Sequence, residues 1–114
     1  MVGILINEFR QQNGKGPFYH WNAVENQFCE LHCLHMARSR ACMHTDFYYL
    51  LHRKEAVARA SWDWDLKHTI SKIIWGPDGF AQSPGHKEVL LMPYVAYGVQ
   101  VNNGEVYLTV RGWR

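Results

Sequence analysis

The chain is expected to fold as an α+β domain, and three observations carry that expectation. Helical stretches dominate its early part, two β-type runs close it, and the turn between those runs, Asn102-Asn103-Gly104, is a strong hairpin signal. Helices first and a hairpin last predict helices packed on an antiparallel sheet.

Ile4 to Gln12 reads as a short helix that Asn13-Gly14 ends. Gly14 to Pro17 is a loop, and Phe18 to Trp21 a brief extended stretch. Asn22 then caps a long helix running to about Arg40. That helix carries one stripe at Cys29, Cys33, Met36 and Ala37 and another at Val24, Phe28, Leu31 and His35. Two apolar faces predict a helix covered on more than one side. Thr45 to Ala60 is rich in Tyr and Leu but shows neither the helical nor the strand period. Asp63 or Asp65 caps the next helix, whose Leu66, Ile70, Ile73 and Ile74 follow helical spacing until Gly76-Pro77-Asp78-Gly79 breaks it. Ser83 caps a further helix with Pro84 in its first position, Lys87 to Met92 continuing it and Pro93 stopping it. The closing strands are Val95 to Val101 and Glu105 to Arg111.

Composition bounds the function classes. With 114 residues there is material for one domain and one core. A net charge of +2 with no basic run gives no support for nucleic-acid binding. No apolar run approaches the ~18 residues of a membrane span. Met1 to Ile6 is apolar but short and lacks a basic leader, so it does not read as a signal peptide. Sixteen aromatic residues suit a compact core and also stacking surfaces for sugars or ring systems. Three cysteines cannot all pair within one chain, and Cys29 and Cys33 lie one helical turn apart, where disulfide geometry is poor. No motif specifies a partner or an oligomeric state.

Four groups of residues are candidates for chemistry. Ser83-Pro84-Gly85-His86 places an imidazole in the first turn of a helix, where the dipole disfavours its protonated form. A neutral imidazole binds metal or accepts a proton. Cys29, His32, Cys33 and His35 are zinc-type ligands at helical spacing, yet one straight helix cannot wrap four ligands around an ion. Cys29 and Cys33 also fall on the stripe with Met36 and Ala37, where cysteine packs as a small apolar residue. Cys42 with His44 lacks the adjacent orienting group and oxyanion hole of a nucleophilic dyad. Trp62-Asp63-Trp64-Asp65 is either an aromatic platform or, the reading favoured here, one core Trp with aspartates capping the following helix.

Several of these pieces belong to one larger pattern. Ile6-Asn7-Glu8-Phe9-Arg10, Trp21-Asn22, Cys29-x-x-His32-Cys33-x-x-Met36-Ala37 and His44 are followed by Trp75, Ser83-Pro84-Gly85-His86-Lys87, Leu90-Leu91, Tyr97-Gly98-Val99 and the final hairpin. The whole resembles the CAP superfamily of cysteine-rich secretory, antigen five and pathogenesis-related proteins, in its simpler bacterial, SCP-like branch. The match is poorest between Phe47 and Trp75. The resemblance implies a three-layer α-β-α sandwich, an extracellular setting, and a cleft lined by two histidines and acidic residues. The histidines fall on His44 and His86 and the family glutamate on Glu55, in Lys54-Glu55-Ala56 rather than Gly-Glu-Asn. A second family carboxylate falls on Asp78. The disulfides of the eukaryotic branch are absent. Two histidines and a carboxylate hold a divalent ion, zinc foremost, or form a hydrogen-bonded polar cluster without one. The expectation is a ligand- or metal-binding module with His44, Glu55 and His86 in its cleft and His44 and His86 as metal ligands. The alternative is a metal-dependent hydrolase with Glu55 as general base.

Overall fold

The computed structural model of the protein describes residues 1–19, 23–46 and 53–114. In chain order its elements are α1 (Val2–Gln12), α2 (Ala23–Ser39), β1 (Lys54–Ser61), α3 (Leu66–Trp75), a short 3-10 turn (Phe80–Gln82), α4 (Pro84–Leu90), β2 (Tyr94–Asn102) and β3 (Glu105–Trp113). The three strands form one antiparallel sheet in the order β1-β3-β2, so the last strand lies in the middle. The fold is α+β as expected and ends in a β-hairpin.

Alternation along the strands sorts side chains into two helical layers. Ala56, Val95, Val106, Leu108 and Val110 point to one face and join Val2, Leu5, Ile6 and Phe9 of α1, Ile70, Ile73 and Ile74 of α3, and Val89 and Leu90 of α4 in the main core. Val57 and Tyr107 point to the other face, where Cys33, Met36 and Ala37 of α2 cover them. The sheet is thus sandwiched between α2 on one side and α1, α3 and α4 on the other.

Local chemistry explains most boundaries. Asp65, not Asp63, caps α3, accepting from the His68 amide at 2.7 Å. Asn103 and Gly104, at φ 51° and 74°, form the doubly left-handed two-residue turn whose twist suits a hairpin. At Gly98 the backbones of sheet and helix approach closely. A Cβ there would lie 2.3 Å from the Glu30 backbone nitrogen, so only glycine lets α2 sit down on β2.

Four expectations need correction. The second stripe of α2 is uncovered: Val24, Phe28 and Leu31 are 55 %, 48 % and 60 % exposed, because only one face of the helix meets the sheet. Ser83 stands at the N-cap position of α4 without a side-chain capping bond, and α4 ends at Leu90, short of Met92. Neither tryptophan of the Trp-Asp-Trp-Asp run is core, since Trp62 is 43 % and Trp64 86 % exposed. Trp64 adopts φ 71°, which breaks the extended alternation that would align the two rings. The first helix begins at Val2 rather than Ile4. The Asn22 cap and part of the unassigned Thr45 to Ala60 stretch lie outside the described residues; the rest of that stretch yields β1.

Candidate functional site

The site is assembled around a cross-strand pair. In the β1–β3 register Glu55 stands opposite Arg111, both on the sheet face that α2 covers. Arg111 Nε donates to Glu55 Oε2 at 3.0 Å, and both residues are buried. Glu25, in the first turn of α2, brings a second buried carboxylate to Arg111 Nη1 at 3.4 Å. Arg53 Nε donates to the other Glu25 oxygen at 3.2 Å and stacks its guanidinium 4.2 Å over the Trp113 ring. Two carboxylates and two guanidiniums balance. That balance matters because an unpaired ion in such a place costs several kcal/mol, on the order of 3–5.

The loop after α2 closes over this network. The Thr45 amide donates to Glu55 Oε1 at 2.8 Å, and its hydroxyl donates to Oε2 at 2.6 Å while accepting from Arg111 Nη2 at 2.9 Å. His44 Nδ1 donates to Glu55 Oε1 at 3.0 Å. Each oxygen of Glu55 therefore accepts two hydrogen bonds, which uses the capacity of a carboxylate. Burial alone would raise the Glu55 carboxyl. The hydrogen bonds from Thr45, Arg111 and His44 outweigh it and hold the group below the ordinary glutamate value.

His86 reaches the same place from the other helical layer. It is the third residue of α4, its ring 4.9 Å from that of Phe80. His44, Glu55 and His86 line one open cleft of about 490 Å³ at the β1 edge, with Arg53, Lys54, Ser83, Gly85, Glu88 and Val89 completing its walls. Residues 42 positions apart in sequence thus share one cavity. Burial, and then the electrostatic influence of the neighbouring His44, push the His86 imidazole below its ordinary pKa. The cause is desolvation and a neighbouring histidine rather than the helix terminus alone. Asp78 is elsewhere: it lines an adjoining cavity of about 350 Å³ that shares His86.

The helical cluster does not become a site. His32 Nε2 is tied to the Met43 carbonyl at 2.6 Å, and His35 is exposed. The Cys33 Sγ lies 3.2 Å from both the Gly98 carbonyl and the Thr109 hydroxyl, which share its one proton, and its thiol is pushed up to about 11 by burial. Cys29 is raised further for the same reason. All three cysteines are free thiols. Cys42 is exposed, and partial desolvation raises its pKa, the opposite of what activates a nucleophile. His44 meanwhile turns Nδ1 to Glu55.

The donor set bears on the metal expectation. Among the described residues no group of three His, Cys, Asp or Glu side chains is disposed to hold an ion. Glu55, the expected third ligand, has both oxygens committed. Arg111, Thr45 and Glu25 are the members of this network that sequence reasoning missed. No family model matches the chain, and no curated protein does. Among the described residues no helix is long and apolar enough to cross a membrane.

Proposed function

We propose that this chain is a CAP-like ligand-binding module, its ligand a small molecule or a divalent ion such as zinc taken up between His44 and His86. The observation that carries this reading is the hydrogen-bond saturation of Glu55. A carboxylate that accepts the Nδ1 proton of a histidine fixes the ring's tautomer and orientation and leaves the lone pair on Nε2, the arrangement found behind metal- and ligand-binding histidines. Glu55 on this reading is a positioning residue. His44 acts through Nε2, and His86, kept neutral by burial, supplies a second nitrogen. An ion held there would be bound by these two imidazoles, with solvent or ligand in its remaining positions, and would act as a Lewis acid toward what it binds.

The hydrolase alternative needs Glu55 as general base, and a carboxylate with four donors on it and a lowered pKa is poorly placed to take a proton. The binding module is therefore preferred. Calorimetric titration with zinc at pH 7.5 and pH 5.5 tests it. Affinity should fall at the lower pH, where protons compete with the ion for imidazole nitrogen. The His44→Ala, His86→Ala double variant should lose it. Equal affinity in wild type and double variant refutes the assignment.

A further inference from the structure

We propose a second binding site, for a phosphate-bearing small molecule, in the cleft where the end of α1 meets the end of α4. The cleft measures about 600 Å³ and its walls include Arg10, Lys15, Lys87 and Leu91. Arg10 is the unusual member. Only 4 % of its surface is accessible, yet no ion pair joins it to any carboxylate among the described residues.

Its neutral partners account for part of the guanidinium. Nε donates to the Gly16 carbonyl at 2.8 Å, and Nη1 donates to the carbonyls of Leu90 and Met92 at 3.0 and 2.6 Å. Those last two bonds satisfy carbonyls that the end of α4 leaves open, so Arg10 fastens α1 to α4. Among the described residues Nη2 makes no hydrogen bond. No buried side-chain nitrogen or oxygen among the described residues lacks a partner, so Nη2 must reach solvent, and the cleft is the cavity that Arg10 lines. A fixed guanidinium with an uncommitted edge and no counter-ion is a preorganised oxyanion donor, since its ordering is complete before the ligand arrives.

The surrounding charge sets the ligand class. Lys15, Lys87 and Arg114 stand on the same walls, and the one carboxylate side chain among the lining residues, Glu88, is already bonded to Lys54 Nζ at 2.5 Å. Several cations against one neutralised anion favour a multiply charged oxyanion over a monocarboxylate. The volume exceeds what inorganic phosphate fills, so the phosphate is one end of a larger molecule, either soluble or a lipid headgroup. This site shares no histidine with the His44–His86 cleft and does not depend on it.

The test uses the full chain and pyrophosphate, titrated calorimetrically at low ionic strength. Binding is expected to weaken with added salt and to fall at least about tenfold in Lys15→Ala, Lys87→Ala, roughly what losing one charge-assisted hydrogen bond does. The His44→Ala, His86→Ala variant should bind as wild type does. Arg10→Lys keeps the charge and loses the fork; with its fold checked by circular dichroism, it should also bind more weakly. If Arg10→Lys does not fold, the lysine pair decides. Co-sedimentation with phosphatidylcholine vesicles, with and without phosphatidic acid, separates the sources. Capture dependent on phosphatidic acid and lost in the lysine variant assigns the site to a headgroup, whereas pyrophosphate binding alone assigns it to a soluble ligand. No binding to either probe, or binding unchanged in the lysine variant, overturns the proposal.

Discussion

Replacing Glu55 by glutamine keeps the shape of the side chain and removes its charge, which makes it the sharpest test of the buried network. The wild-type carboxylate accepts from His44 Nδ1, the Thr45 amide, the Thr45 hydroxyl and Arg111 Nε, all within 2.6 to 3.0 Å. An amide has one acceptor oxygen, so in either orientation its NH2 faces two of those donors. The Thr45 hydroxyl can turn to accept and the His44 ring can change tautomer, but Arg111 Nε in one orientation and the Thr45 amide in the other cannot. Arg111 is also left buried with Glu25, at 3.4 Å, as its remaining counter-ion. Breaking a buried pair from one side costs about 3–5 kcal/mol, and partial relief by Thr45 and Glu25 places Glu55→Gln near the lower end. Urea unfolding at pH 7 should show a loss of about 3 kcal/mol, and thermal unfolding a fall of roughly 12 °C. The pH dependence carries the sign. The Glu55 pKa is lower in the folded state than the ordinary 4.5, so its contribution is full above that value and is lost as pH falls through the folded pKa. The gap between wild type and variant should therefore narrow in acid. A loss below about 1 kcal/mol at pH 7, or a gap that stays constant down to pH 3, refutes the claim that Glu55 is an ionised, fully engaged group.

Three further outcomes follow from the same geometry. Gly98→Ala should destabilise by about 2–3 kcal/mol in denaturant melts, because the new Cβ meets the α2 backbone and not a side chain that can turn away. Thiol labelling of the native protein should reach Cys42 alone, with Cys29 and Cys33 reacting only after denaturation; rapid labelling of all three would show that α2 does not cover the sheet. His86 has a folded pKa below the ordinary 6.5, so on acidification the unfolded chain takes the proton first and stability falls as pH drops below about 6.5. In His86→Gln this portion of the slope should vanish, and an unchanged slope between pH 7 and pH 5 would count against burial of the neutral ring.

The legible and illegible parts of this chain separate along physical lines. The hairpin was legible because Asn103-Gly104 is chemistry tied to one backbone geometry, and α3 because its apolar spacing and its Asp65 cap agree. β1 was not, since its core-facing residues are small and are weak strand formers. Its main-core positions are the alanines 56, 58 and 60, which suggest a helix as readily as a strand. The second stripe of α2 misled for the opposite reason: Val24, Phe28 and Leu31 are apolar at helical spacing yet face outward, and periodicity alone does not report what lies opposite. At the site, His44, Glu55 and His86 were found as a set through resemblance, not through spacing. Arg111, Thr45 and Glu25 escaped notice because their roles exist only once the β1–β3 register is known. An arginine 56 positions from the acid it pairs with gives no signal in a linear motif, whereas the register places it directly opposite Glu55.

The position of the cleft within the sandwich gives the network its meaning. His44 and Glu55 belong to the α2 side of the sheet, His86 to the α4 side, and the two meet only at the outer edge of β1. Arg111, on the central strand, ties Glu55 of the edge strand to Glu25 of α2, so the histidine that Glu55 orients is fixed relative to the sheet rather than to a loop. A site on a rigid element holds its geometry better than one on loops alone, and the buried ion network supplies that rigidity here. A ligand that engages both imidazoles bridges the two helical layers across the sheet edge. Because it binds the folded state and not the unfolded chain, it adds stability by mass action, about 2.7 kcal/mol at a hundredfold excess over its dissociation constant. Glu55→Gln, by loosening one wall of the cleft, should lower that increment even where both histidines remain, which separates orientation of His44 from mere provision of a ring nitrogen.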